Sequence, residues 1–90
     1  MISKNWEDIW ELRGITEAEF NKINKKKGVN IADNLILCKK DENDRLVVKV
    51  AIRKKEREGT KKRLREYLQD QGFALIYTQN NTLQNKRGHI

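Results

Sequence analysis

The sequence predicts an α+β domain in which an N-terminal αα-hairpin packs with a small three-stranded sheet, in the order α-α-β-β-α-β. Three features predict it: two apolar helical stripes near the N-terminus, an alternating apolar run in the middle, and a basic helix followed by a short apolar run. Ninety residues provide one hydrophobic core. We therefore expect residues 1–78 to form a single domain and the polar residues 79–90 to form a mobile tail.

The first predicted helix lies close to the N-terminus. Trp6, Ile9 and Trp10 stand at positions i, i+3 and i+4, which is the spacing of an apolar helical stripe. Gly14 is a residue type that commonly ends a helix. Both tryptophans are therefore expected in the core rather than at a surface where they could stack on bases.

The second predicted helix has a well-defined start. Thr16 and Glu19 have the spacing of a capping box, in which each side chain accepts a hydrogen bond from the backbone N–H of the other residue. Phe20 and Ile23 continue the apolar stripe, and Gly28 ends the helix. Together with the first helix, this segment predicts a short αα-hairpin over a sheet.

The remaining elements follow from shorter patterns. An apolar run at 35–38, a polar tip at 39–44 and an alternating run at 46–52 predict a β-hairpin. A third helix is expected at 61–71, with Gly72 as its stop. A strand at 73–78 follows, and it is apolar enough to be central. If this last strand is parallel to the second, the third helix is a crossover connection.

The charge of the chain is concentrated in its second half. The formal net charge is +7, yet residues 1–42 contain eight basic and eight acidic residues, so residues 43–90 carry all of it. The basic segment (Arg53–Arg65) contains eight Lys or Arg residues and two Glu among thirteen. A concentrated basic surface most often binds phosphate groups, which points to nucleic acid as the partner.

The start of the third helix is the strongest functional signal. With Thr60 as N-cap, Lys61, Lys62 and Arg63 fall in the first turn, where the helix dipole disfavours cations unless an anion binds there. Lys61, Lys62 and Arg65 are expected to point outward, so that reversing the first two to Glu would abolish binding and leave the fold intact. The alternative is a solvated charged face neutralised by nearby glutamates.

These observations predict a small nucleic-acid-binding protein, a regulatory or accessory factor that contacts DNA or RNA backbone phosphates. Contact with about five phosphates would give a slope of log affinity against log salt of about −4 to −5. The alternative is an adaptor or inhibitor whose basic face docks on an acidic protein, and homodimerisation through a strand edge is compatible with both. The predicted binding residues are Arg53, Lys54, Lys55, Arg57, Lys61, Lys62, Arg63 and Arg65.

Three other basic groups are weaker candidates for the same surface. Lys25–Lys27 also suits the C-terminal end of a helix, where cations oppose the dipole. Lys39, Lys40 and Arg45 surround the hairpin tip and are equally typical of a charged turn. Lys86 and Arg87 in the tail resemble a basic arm that reaches a nucleic-acid groove.

The sequence gives no support for catalysis. Cys38 is expected to pack as a small apolar residue, and His89 has no second His or Cys partner for a metal site. We therefore expect no enzymatic activity and no cofactor. The chain contains no stretch of roughly 20 apolar residues and no signal-peptide pattern at its start, so a cytoplasmic protein without membrane contact is expected.

Overall fold

A computed structural model describes residues 5–79 of the chain. This part folds into four strands and three helices in the order β-α-α-β-β-α-β. The predicted fold class was therefore wrong in two respects: the chain begins with a strand rather than an αα-hairpin, and the sheet has four strands rather than three. The elements are β1 (Trp6–Ile15), α1 (Glu17–Asn24), α2 (Ile31–Asn34), β2 (Leu35–Lys40), β3 (Leu46–Arg53), α3 (Glu58–Asp70) and β4 (Ala74–Thr78).

The sheet has the strand order β2-β3-β1-β4, and each pair of neighbours is antiparallel. The predicted β2–β3 hairpin is present. Strands β3 and β4 both lie antiparallel to β1 on its two sides, so they are parallel to each other, and α3 connects them across β1. If α1 and α2 are counted as one connection between β1 and β2, this is the β-α-β-β-α-β connectivity of the split β-α-β arrangement, an architecture that supports many unrelated functions.

The segment predicted as the first helix is the central strand β1. Three consecutive residues of this strand, Asp8, Ile9 and Trp10, are buried, so the strand lacks the strict alternation that would have indicated it in the sequence. Trp10 belongs to the core cluster that packs against the helices, whereas the adjacent Ile9 is also buried but lies outside that cluster. Asp8 is 3% exposed, and this buried acidic side chain conceals the strand pattern in the sequence.

Gly14, which suggested the end of a helix, lies instead at an irregularity of β1. The register between β1 and β3 shifts between Arg13 and Ile15, and Gly14 has a φ of +81°. A glycine with positive φ at such a position is typical of a β-bulge. The turn signal was therefore real, but it marks a bulge near the end of the strand.

The hydrophobic core lies between one face of the sheet and the helices. Val48, Val50 and Ile52 alternate along β3 and are completely buried, as are Ile31 of α2 and Leu68 of α3. Burying each such side chain contributes about 1.5–3 kcal/mol to folding. Leu46, Val48, Val50 and Ile52, the positions predicted to share one face, all belong to this core. Val47 and Ala51 on the other face are buried as well, so the expected half-buried pattern is not observed.

Helix α1 starts as the sequence predicts. Thr16 Oγ1 accepts a hydrogen bond from the Glu19 N–H at 3.1 Å, and Glu19 Oε1 accepts one from the Thr16 N–H at 2.8 Å. This capping box is confirmed. The following α2 is a single turn capped by Asn30, whose Oδ1 accepts from the Asp33 N–H at 3.2 Å, and the sequence patterns did not predict it.

Helix α3 ends in a Schellman motif. The N–H of Phe73 donates to the carbonyl of Leu68 at 2.9 Å and that of Gly72 to Gln69 at 3.1 Å, with Gly72 at a φ of +93°. The predicted stop at Gly72 is therefore confirmed. Strand β4 follows directly, but it lies at the edge of the sheet rather than at its centre.

Candidate functional site

The basic segment does not form one surface. Arg53 ends β3, a four-residue turn follows, and α3 carries the remaining cations. On α3, Lys61 is buried and Arg65 is half-buried, so the expectation that these two point outward was wrong; Lys62 is exposed, as expected. The turn contributes the exposed residues Lys54, Lys55 and Arg57, and α3 contributes the exposed residues Lys62 and Arg63.

Lys61 is a structural cation. It is 4% exposed, and its Nζ donates to Glu7 Oε1 at 2.9 Å and to Glu58 Oε2 at 3.3 Å. The hydrogen bond to Glu7 raises the pKa of Lys61 and outweighs burial, which lowers it. Conversely, burial raises the pKa of Glu7, but the hydrogen bonds and charges of Lys61 and Arg65 outweigh it and hold that pKa below its ordinary value.

Arg65 pairs with two carboxylates of β1. Its Nε donates to Asp8 Oδ2 at 2.6 Å, and its Nη2 donates to Glu7. Asp8 also accepts from Trp10 Nε1 at 3.3 Å and from Thr78 Oγ1 at 2.9 Å. Burial lowers the pKa of Arg65, but the bonds to Asp8 and Glu7 leave it above its ordinary value.

A bulge in β1 brings the two acidic side chains to α3. The β1–β3 register shifts between Trp6 and Asp8, so Glu7 is the extra residue there. Glu7 and Asp8 therefore both reach α3, where they neutralise Lys61 and Arg65. The sequence did contain an indication that these two cations point inward, because helical spacing places Lys61 and Arg65 on the same face as the apolar Leu64.

The start of α3 is not the anion site that the sequence suggested. The helix begins at Glu58, with Arg57 at the N-cap position and no side-chain cap bond. The first turn therefore contains an acidic residue, and Thr60 lies inside the helix rather than capping it. Lys61, predicted to lie in the first turn, lies in the second turn because the helix starts three residues earlier than expected.

The exposed cations concentrate in the basic turn (Lys54, Lys55 and Arg57) between β3 and α3. Among residues 5–79, none of the three forms an ion pair. The N–H of Lys54 donates to the Asn5 carbonyl at 2.8 Å, which fixes the turn against the start of β1. Arg53, half-buried beside the turn, donates to the Asp33 carbonyl.

Trp6 lies next to the basic turn and not in the core. It is half-buried, outside the core cluster and its packed neighbours, and it lines an open cleft with Asn5, Arg53, Lys54 and Lys55. The expectation that Trp6 packs in the core was therefore wrong, while that for Trp10 is confirmed. The predicted helix gave no indication that the two tryptophans differ in burial, because it placed both on one apolar stripe.

A small cavity adjoins the cleft on the helix side of Arg53. Asn34, Glu56, Thr60 and Leu64 are among its lining residues. Asn34 is 6% exposed, and its Oδ1 accepts no hydrogen bond from the described residues. A water molecule or a donor group of a ligand would satisfy this oxygen.

The other predicted basic groups lie apart from the basic turn or outside the described range. Lys40 pairs with Asp44 at 3.4 Å, and Arg45 donates to the Gly14 carbonyl at 3.3 Å, both near the β2–β3 turn at the far end of β3. Lys25–Lys27 is exposed after α1. Lys86 and Arg87, with the predicted tail from residue 80 onward, lie outside residues 5–79.

The described residues contain no cluster of three or more His, Cys, Asp or Glu side chains suited to a metal ion. Cys38 is exposed on β2, so the expectation that it packs as an apolar residue was wrong. His89 lies outside residues 5–79. No helix within this range is long and apolar enough to cross a membrane.

Comparisons with protein-family models, curated proteins and solved structures found no significant match to this chain.

Proposed function

We propose that this protein binds nucleic acid by placing backbone phosphates against the basic turn. The observation that carries the proposal is the grouping of Lys54, Lys55 and Arg57, which are exposed and form no ion pair with a residue in 5–79. Cations held for the fold, such as Lys61, have carboxylate partners instead. Unpaired cations at one turn cost the fold little and can neutralise phosphates.

The proposed site is narrower than the whole basic segment. Lys62 and Arg63 extend it along the exposed surface of α3, but Glu66 and Asp70 are exposed on the same helix and reduce the positive potential there. Three phosphates at the basic turn would give a slope of log affinity against log salt of about −2.7 on duplex DNA. This is shallower than the slope expected from the sequence.

Trp6 adds a second type of contact. A half-buried indole beside unpaired lysines can stack on an unpaired base while the lysines bind the adjoining phosphates. Stacking of this kind requires splayed bases, which single strands provide and duplexes do not. We therefore expect tighter binding to single-stranded DNA or RNA than to a duplex of the same length.

The test is a titration of fluorescein-labelled duplex DNA, single-stranded DNA and structured RNA at several salt concentrations. The double variant Lys54→Glu/Lys55→Glu should weaken binding to each ligand and reduce the magnitude of the salt slope by about 2. The matched control is Lys39→Glu/Lys40→Glu, which makes the same change in net charge at the opposite end of β3. The control should retain most of the affinity.

Two results would overturn the proposal. Equal losses in the two double variants would show that only net charge matters, and the basic turn would not be a site. Absence of binding to all three ligands at low salt, with the fold intact by circular dichroism, would favour the other candidate, an adaptor that docks on an acidic protein. Trp6→Ala separates the stacking contribution, because it should reduce single-strand affinity and leave duplex affinity unchanged.

A further inference from the structure

One acidic residue, Glu56, lies among the cations of the basic turn. It stands between Lys55 and Arg57 in the sequence, yet it is half-buried while both neighbours are exposed. Glu56 lines the cavity on the helix side of Arg53 and forms no ion pair with a residue in 5–79. A carboxylate beside bound phosphates weakens their binding, so phosphate binding does not account for this residue.

The cavity has more hydrogen-bond acceptors than charged donors. Besides Glu56, its lining includes Asp33 and Asn34, whose buried Oδ1 accepts no hydrogen bond from the described residues. Arg53 also lines the cavity; it donates to the Asp33 carbonyl and has further N–H groups. A matching ligand therefore presents several N–H donors together with an acceptor for Arg53.

The cavity is larger than an ordered water molecule requires. Its volume is about 170 Å³, whereas one water molecule needs about 10–15 Å³. Val29 and Leu64, which are 8% and 2% exposed, contribute apolar surface to its lining. Apolar walls with a few convergent polar groups are typical of a ligand site. The cavity also shares Arg53 with the Trp6 cleft, so a strand bound at the basic turn passes close to it.

We propose that the cavity binds one guanine base of the bound single strand and that Glu56 determines this specificity, an inference that rests on the proposed function. The Watson–Crick edge of guanine has two adjacent donors, N1–H and the N2 amino group, and a carboxylate accepts two parallel hydrogen bonds. The second hydrogen of the amino group matches the unpaired Asn34 Oδ1. Guanine O6 and N7 are acceptors suited to Arg53.

Other ligands match the cavity less well. Adenine and cytosine each present one amino group beside a ring nitrogen that accepts, and that nitrogen would face the Glu56 carboxylate. Thymine and uracil present a single N–H between two carbonyl oxygens. Contacts of this kind leave buried acceptors without donors, which is costly. A free cation is disfavoured by the +7 charge of the chain and by Arg53 in the same wall.

The test is fluorescence anisotropy with labelled oligothymidylates that carry one central guanine, adenine, cytosine or thymine. The wild type should bind the guanine oligomer about 5- to 50-fold more tightly than the others. Hypoxanthine, which lacks the N2 amino group, should lose most of this preference. Glu56→Gln should abolish the preference, whereas the matched control Glu66→Gln, which removes the same charge from an exposed position of α3, should keep it. The ratio of affinities cancels the general effect of charge on phosphate binding.

The outcomes separate this inference from the proposed function. Equal wild-type affinities for the four oligomers, all weakened by Lys54→Glu/Lys55→Glu, would overturn this inference alone. Absence of binding to every oligomer at low salt would overturn both. A preference that survives in Glu56→Gln, or that is lost equally in Glu66→Gln, would show that Glu56 does not recognise the base. Equal wild-type affinity for guanine and hypoxanthine, a comparison that needs no variant to fold, would also overturn the inference.

Discussion

Lys61 and Lys62 are adjacent lysines with opposite environments, and replacing each by alanine tests whether the buried ion pairs stabilise the fold. Lys61 is 4% exposed between Glu7 and Glu58, whereas Lys62 is exposed and forms no ion pair with a residue in 5–79. Both lie on α3, so the change in helix propensity is the same for the two variants. Any difference in stability therefore comes from the surroundings.

The expected loss follows from the distances. At 2.9 Å, the attraction between Lys61 and Glu7 is about 6 kcal/mol at an effective dielectric constant of about 20, and desolvation of the two ions offsets much of it. Removing one member of a buried pair costs about 3–5 kcal/mol when the other is left alone. Because Arg65 still pairs with Glu7, we expect Lys61→Ala to lower the free energy of unfolding by about 2–3 kcal/mol.

The assay is thermal and urea denaturation followed by circular dichroism. For a domain of this size, the Lys61→Ala loss corresponds to a fall in Tm of roughly 10–20 °C. Lys62→Ala should stay within about 0.5 kcal/mol of the wild type. Equal Tm values for the two variants would refute the structural role of Lys61 and would return it to the exposed surface that the sequence suggested.

Three further predictions concern single side chains. Because the pKa of Glu7 is lower in the folded than in the unfolded chain, ionised Glu7 stabilises the fold at neutral pH, and this stabilisation is lost as the pH falls below about 5. In urea denaturation at a series of pH values, the midpoint of Glu7→Gln should therefore fall less steeply with acid than that of the wild type. An equally steep fall would contradict the ion pair. Gly59→Ala, at an open helical position, should raise the free energy of unfolding by about 0.5–1 kcal/mol. Gly72→Ala, at a φ of +93°, should lower it by about 1–2 kcal/mol. Stability changes of the same sign in thermal melts would show that backbone conformation does not distinguish the two glycines. Thr16→Ala should cost about 1 kcal/mol in the same melts through loss of the capping box, and a neutral result would mean that water replaces the Thr16 hydroxyl.

Local signals in the sequence predicted the elements that depend on neighbouring residues. The capping box at Thr16, the core-facing alternate residues of β3 and the stop at Gly72 each involve contacts within a few residues. Such patterns have a direct physical cause in backbone hydrogen bonding or side-chain periodicity. The sequence predicted these features correctly because none of them depends on a residue distant in the chain.

The errors arose where a distant partner decides the structure. Asp8 is buried because Arg65 pairs with it, and no local pattern around Asp8 indicates that partner. The same pairing removes Arg65 from the predicted binding surface. The site prediction was thus limited by the fold prediction: a helix at the N-terminus would have left Lys61 and Arg65 without carboxylates from β1.

The order of the strands in space has a consequence during synthesis. Ile9 of β1 lies opposite Ala51 of β3 on one side and Tyr77 of β4 on the other. The first strand to be translated therefore pairs only with strands that are translated later, from the middle and the end of the sequence. Closing such long loops is slow compared with forming local helices and hairpins. A nascent chain still on the ribosome can form the β2–β3 hairpin early, but its sheet closes only after β4 has emerged.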